Sequence, residues 1–199
     1  MPAGRRSLPL SPFFSTAGLP ALLLLAGCAG LHVDSQPPRI RPPEVARHGL
    51  HLRAAALRDR ELNWEIFDED LPALGITAVW VELENRRNAP ADLSRCEWRL
   101  RVAGRERRAL SAREVMRAYY EGRRIRMYSA KADADARARL EKLILERTVL
   151  APGARLSGYL FFRIGARAGA GPAFLRARNV RLDARTGIDL ELPLAYANP

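Results

Sequence analysis

Apolar residues take every second place over much of the chain after Gly49. In Cys96-Glu97-Trp98-Arg99-Leu100-Arg101-Val102 they alternate strictly with charge, the pattern of a strand with one buried and one wet face. Thr77, Val79, Val81 and Leu83 share one side of a second such segment, with Glu82 and Glu84 on the other. Ile188, Leu190, Leu192 and Leu194 alternate with Asp189 and Glu191. Residues 156–164 are apolar on both faces, which predicts a central strand. Weaker alternation predicts strands over Leu50–Leu57, 62–67 and 174–182. Residues 85–90 and Ala151-Pro152-Gly153 carry turn chemistry. About six to nine short strands of this kind predict a mainly β fold, an antiparallel β-sandwich.

Two segments break the alternation. Ser111-Ala112-Arg113-Glu114 has the spacing of a capping box, and Val115, Met116 and Tyr119 continue it as a short apolar stripe that Gly122 can end. A second helix is predicted over about 130–147, with Ala136, Leu140, Leu143 and Ile144 on one face and an Asp133-Arg137-Glu141 ladder on another. Both helices fall between early and late strands, so they form a two-helix insertion at about 111–147.

Before Gly49 the pattern is different. Arg5 and Arg6 precede a mostly apolar stretch, densest from Leu19 to Leu25, that closes in Leu25-Ala26-Gly27-Cys28. Charge, apolar segment and small residues in that order predict a secretory signal peptide over residues 1–27. Its uninterrupted apolar part is shorter than the roughly 20 residues a membrane-spanning helix needs. Leu25-Ala26-Gly27-Cys28 also resembles the bacterial lipobox at all four positions. The resemblance implies a diacylglycerol thioether on Cys28, cleavage before it and acylation of the new amino group, with palmitate-like chains holding the protein in a membrane. Ala29 follows the cysteine; in the sorting rule of enterobacterial lipoproteins this implies the outer membrane, the domain facing periplasm or cell surface. Pro37-Pro38 and Pro42-Pro43 then favour an extended polyproline tether over residues 28–48, leaving residues 49–199 as the folded domain.

Val79-Trp80-Val81-Glu82-Leu83-Glu84-Asn85, followed by Ala89-Pro90 and Leu93, joins with Pro152-Gly153 and Ser157-Gly158-Tyr159-Leu160-Phe161-Phe162 in a pattern that resembles the immunoglobulin-like domains of bacterial envelope lipoproteins. The resemblance implies an immunoglobulin-like sandwich, departing from the plain form by its helical insertion and lacking the Cys…Trp…Cys pattern of antibody domains. Many members of those families have no assigned activity. The implied role is binding or structural, toward an envelope protein or polymer.

Charge changes this picture little. The net charge of the 199 residues is +11, but all basic residues except Lys131 and Lys142 are Arg, scattered along the chain. Such scatter reads as a solvated basic surface rather than a nucleic-acid site. The chemistry-bearing residues are few. His32, His48 and His51 are the only histidines, so a catalytic triad inside the domain has almost no base to use. His48 and His51 run into a strand, where i and i+3 face opposite sides, which argues against zinc. Cys96 alternates with Trp98 and Leu100 and is expected to be a buried hydrophobe. Asp68-Glu69-Asp70, near Glu65, reads as a solvated turn between strands. It is also the least implausible carboxylate set for the alternative function, an envelope hydrolase, or for calcium. Residues 123–128, Arg-Arg-Ile-Arg-Met-Tyr, read either as a solvated inter-helix loop or as a contact for anionic lipid, lipopolysaccharide or nucleic acid. Residues 165–171, rich in Gly, read as a hairpin loop rather than a phosphate loop. No cofactor, metal or catalytic residue is expected, and Cys28, as the lipidation site, is the one site residue.

Overall fold

The computed structural model describes residues 42–125, 129–165 and 172–197. The signal peptide, Cys28, the tether up to residue 41, Arg126 to Tyr128 and most of the Gly-rich loop lie outside the described residues.

The chain is mainly β, with two largely antiparallel sheets, three α-helices and a short 3-10 turn at Pro72–Leu74 among the described residues. The first sheet holds β1 (Glu44–Arg47), β2 (Leu50–Leu57), β3 (Ile76–Asn85) and β8 (Arg155–Arg163) in the order β1-β2-β3-β8; β11 (Ala195–Ala197) lies parallel to the second half of β2. The second holds β4 (Ala91–Asp92), β5 (Glu97–Val102), β6 (Arg105–Arg108), β7 (Val149–Leu150), β9 (Ala173–Arg181) and β10 (Gly187–Pro193). There β6 pairs with β5, and β9 lies between β5 and β10. Two hairpins close with two-residue turns, His48-Gly49 and Ala103-Gly104, each residue at positive φ, as a type I′ turn requires.

The sheets meet face to face. Leu52, Ala54, Val79, Val81, Leu83, Leu160 and Phe162 from the first sheet pack against Trp98, Leu100, Leu175, Ala177, Leu190 and Leu192 from the second. The alternation predicted for 77–83, 96–102 and 188–194 is the inner face of this core. The opposite face of the first sheet carries a second apolar cluster, with Ile76, Ala78, Trp80, Tyr159 and Phe161 at its centre. Over it lie α1 (Arg60–Phe67), α2 (Ala112–Arg123) and α3 (Ala130–Leu143), through Leu62, Ile66, Phe67, Val115, Ala118, Leu140 and Leu143. Phe67 stands edge-on to both Tyr159 and Phe161, at 5.0 and 5.4 Å between ring centroids.

Several expectations need correction. Residues 62–67 are helix, not strand: Asp59 caps α1 by accepting from the Leu62 amide at 2.7 Å. The strand β8 ends its sheet rather than sitting centrally. It is apolar on both faces because one faces the second sheet and the other the helices. The folded domain begins before Gly49, since Glu44–Arg47 of the expected tether pairs with β2. The capping box at Ser111 and Glu114 is formed as predicted, but Gly122 lies within α2. A Cβ there would stand 2.5 Å from Leu74 Cδ2, so this glycine permits a close approach, and Arg124 in the left-handed region ends the helix. The second predicted helix stops at Leu143.

The exit from α3 runs along β8. Leu145 N donates to Tyr159 O at 3.0 Å, and a Cβ on Gly158 would stand 2.7 Å from Leu145 Cα. At the other end of the insertion Leu110 N donates to Phe161 O at 2.7 Å. Asn85, fully buried at the end of β3, ties two turns together. Its Nδ2 donates to the carbonyls of Ala89 (3.0 Å), Leu150 (2.9 Å) and Ala151 (3.2 Å), and its Oδ1 accepts from Arg87 N.

Candidate functional site

The acidic run after α1 is part of the helical layer. Asp68, at φ 56°, ends α1 in the left-handed region. Glu69 then turns inward and is buried. Its carboxylate accepts from Arg123 Nη2 at 2.6 Å and Nε at 3.2 Å, a fork across to the end of α2, and also from the Asp70 amide. Asp70 takes Arg60 at 3.1 Å and the Ala73 amide. The reading of 68–70 as a solvated turn between strands is therefore corrected. Guanidinium groups and amides hold Glu69 and Asp70 in place, and their geometry joins α1, the Pro72–Leu74 turn and α2 rather than converging on a cleft.

Cys96 lies in the inner core beside Trp98 and Leu100, 1% exposed, and burial pushes its thiol up to about 12. A thiol so buried and so weakly acidic is a poor nucleophile at neutral pH. His48 occupies the β1–β2 turn, whereas His51 sits on the outer face of β2 with Nδ1 2.6 Å from Glu44. Among the described residues no three His, Cys, Asp or Glu side chains come together as a metal-binding group.

Two charged faces flank the molecule. The part of the first sheet's outer face beyond the helices carries Glu44, Arg53, Glu82, Glu84, Arg86 and Arg155 in ion pairs of 2.7 to 3.2 Å. Arg86, and after it Arg155, holds the Glu84 carboxyl down at about 2. On the outer face of the second sheet Glu191 is gripped by Arg101 and Arg176, both at 2.5 Å, and Arg176 also reaches Glu106. Each of these clusters spends its charge on itself.

The groove between α2 and α3 does not. It has a volume of about 790 Å³ and is lined by Arg113, Arg117 and Arg124, with Met116, Tyr120 and Ile125 between them. The spacing explains the arrangement. Positions 112, 115 and 118 of α2 are buried on the sheet, so 113, 116, 117, 120, 121 and 124 form the neighbouring stripe of the same helix. Tyr120 donates to Asp133 on α3 at 2.6 Å and thereby joins the two helices across the groove. The basic run read at 123–128 divides: Arg123 turns to Glu69 and Arg124 to the groove. Arg113 and Arg117 were not singled out from sequence, although their i, i+4 spacing beside Val115 and Ala118 carries the signal.

Comparison with protein-family models found no match, and no curated protein matches the chain. A solved structure of a conserved hypothetical protein from Bacillus anthracis is similar to it at 10% sequence identity and a TM-score of 0.36, covering 69% of this chain and 87% of that one.

Proposed function

We propose that this chain is a lipid-anchored cell-envelope protein that presents an immunoglobulin-like β-sandwich as a binding module, with the outer membrane as its site. The observation that carries the reading is Leu25-Ala26-Gly27-Cys28 at the end of a basic-then-apolar leader. The thiol of Cys28 is the nucleophile that a thioether-linked lipid needs. Each buried lipid methylene contributes about 0.8 kcal/mol, so two or three acyl chains anchor almost permanently.

Strand order supports the fold assignment. The order β2-β3-β8 in one sheet and β6-β5-β9-β10 in the other matches strands A-B-E and C′-C-F-G of an immunoglobulin-like sandwich, with α1 between A and B and with α2 and α3 between C′ and E. Of the three carboxylates on which the hydrolase alternative rests, Asp68, Glu69 and Asp70, the last two are paired within the fold, with Arg123 and Arg60.

Metabolic labelling with a palmitate analogue tests the anchor. The wild type incorporates label and fractionates with the outer membrane; Cys28→Ser incorporates none. Equal labelling of the two would overturn the lipoprotein reading.

A further inference from the structure

We propose that the α2–α3 groove docks onto the anionic headgroups of a membrane surface. The proposal deepens the lipid-anchored reading and rests on it for the proximity of a bilayer.

The groove offers three guanidinium groups from one helix stripe, Arg113, Arg117 and Arg124, none in an ion pair with a described residue. The acids lining the same groove are engaged. Asp133 accepts from Tyr120 and stands 3.8 Å from Arg137, while Glu121 pairs with Arg163 at 3.3 Å. The unspent charge is therefore cationic. Arginine abundance alone does not single out this place, because the arginines over Glu191 are consumed by their own sheet. Guanidinium is planar and donates in a fork that matches phosphate oxygens. Met116 and Ile125 are half-buried between the arginines, an apolar floor suited to the glycerol and first methylenes below a phosphate. A headgroup layer meets all of these at once. The chain between Cys28 and Pro42 reaches roughly 45 Å when extended, enough to let an anchored domain touch the surface and short enough to keep its local concentration high.

The test uses the full chain carrying Cys28→Ser in every arm, so that lipidation plays no part and failure of the anchor leaves the result intact. Parent and Arg113→Gln/Arg117→Gln/Arg124→Gln proteins are sedimented with vesicles of phosphatidylglycerol in phosphatidylcholine, and with phosphatidylcholine alone. The leader contributes equally to both proteins. Partition of the groove variant onto anionic vesicles falls by about fivefold per arginine removed, the equivalent of about 1 kcal/mol each at an anionic surface. The loss is absent on neutral vesicles and shrinks at high salt. A charge-matched variant, Arg95→Gln/Arg107→Gln/Arg185→Gln, exposed and off the groove, keeps the parent's partition. Far- and near-ultraviolet circular dichroism verifies that each variant is folded. Equal partition of parent and groove variant overturns the proposal, as does an equal loss in the charge-matched variant. Displacement by millimolar inorganic phosphate at constant ionic strength would assign the groove to a free anion and overturn the membrane assignment.

Discussion

Replacing Asn85 by Ala should be among the costliest single changes in the domain. The side chain is fully buried, and its two amide hydrogens serve three carbonyls, those of Ala89, Leu150 and Ala151. Its own backbone completes the clasp, Asn85 N donating to Ala154 O and Asn85 O accepting from Gly153 N at 2.7 Å. Truncation to Ala removes the side-chain donor from the buried Leu150 carbonyl and the part-buried Ala89 carbonyl and the acceptor from the Arg87 amide, whereas Ala151 O keeps the Ala154 amide at 3.1 Å. An unsatisfied buried group costs about 1–3 kcal/mol, and some relaxation and water entry will offset part of the sum, so a loss of about 2–4 kcal/mol is expected. That is a large share of the roughly 5–15 kcal/mol typical of a domain. Asn85→Asp refines the test because it keeps the shape. An ionised carboxylate would face carbonyl oxygens where an amide had donated, so its folded pKa is raised above the unfolded value of about 3.9. The destabilisation relative to wild type therefore grows as pH rises through about 4 and is greatest at neutral pH. Urea unfolding followed by tryptophan fluorescence, with Trp80 and Trp98 buried as reporters, measures both variants against wild type at matched pH. A cost below about 1 kcal/mol for Asn85→Ala, or an Asn85→Asp protein as stable as wild type at pH 7, would refute the clasp.

In a Cys28→Ser background Cys96 is the remaining thiol, and thiol reagents should modify it slowly in the native protein and rapidly in urea; native labelling at the rate of a free thiol would refute its burial. Cys96→Ala should cost about 1 kcal/mol through a small cavity, read by the same unfolding assay. Acid should weaken the fold. Glu84 and Glu114 are held at about 2, and Glu44 and Glu97 are lowered as well, each chiefly by hydrogen bonds to Arg or His partners. Groups whose folded pKa is depressed stabilise above their unfolded value of about 4.3, so the urea midpoint should fall as pH drops from about 5 toward 2. A midpoint that rises over that range would contradict the ion-pair assignments.

The sequence carried the inner core well because one face of β5, of β10 and of the second half of β3 meets water or charge, and alternation records that contrast. It carried the outer cluster poorly. Leu62, Trp64 and Ile66 satisfy a period of two and, as Leu62 and Ile66, a spacing of four; over six residues the two periods cannot be separated. The Asp59 cap and the packing of Leu62, Ile66 and Phe67 on the sheet decided for helix. The strand β8 misled differently, since apolar residues on both faces report two covered faces and not two flanking strands. Glu69 read as solvated because its partner, Arg123, is remote in sequence. For the groove, the run at 123–128 supplies only Arg124 and Ile125 among the described residues, and Arg113 and Arg117 lie on the helix before it, where the apolar stripe they adjoin gives the stronger periodicity.

The insertion leaves and rejoins the sandwich at neighbouring points, Phe161 and Tyr159, on the free edge of β8. A bare terminal strand reading Tyr-Leu-Phe-Phe would be a template for pairing with another chain. Here the same excursion that roofs Trp80 and Phe161 also occupies that edge, so a partial opening of the roof would uncover a sticky surface and a strand end together. Hydrogen exchange of the Leu110 and Leu145 amides, which bond that edge, should follow the helices rather than the sheet core. The narrow neck also decouples the roof's length from the sandwich. Residues could be added or lost between Ser111 and Ile144 without moving either attachment, which leaves the groove free to diverge on an unchanged frame.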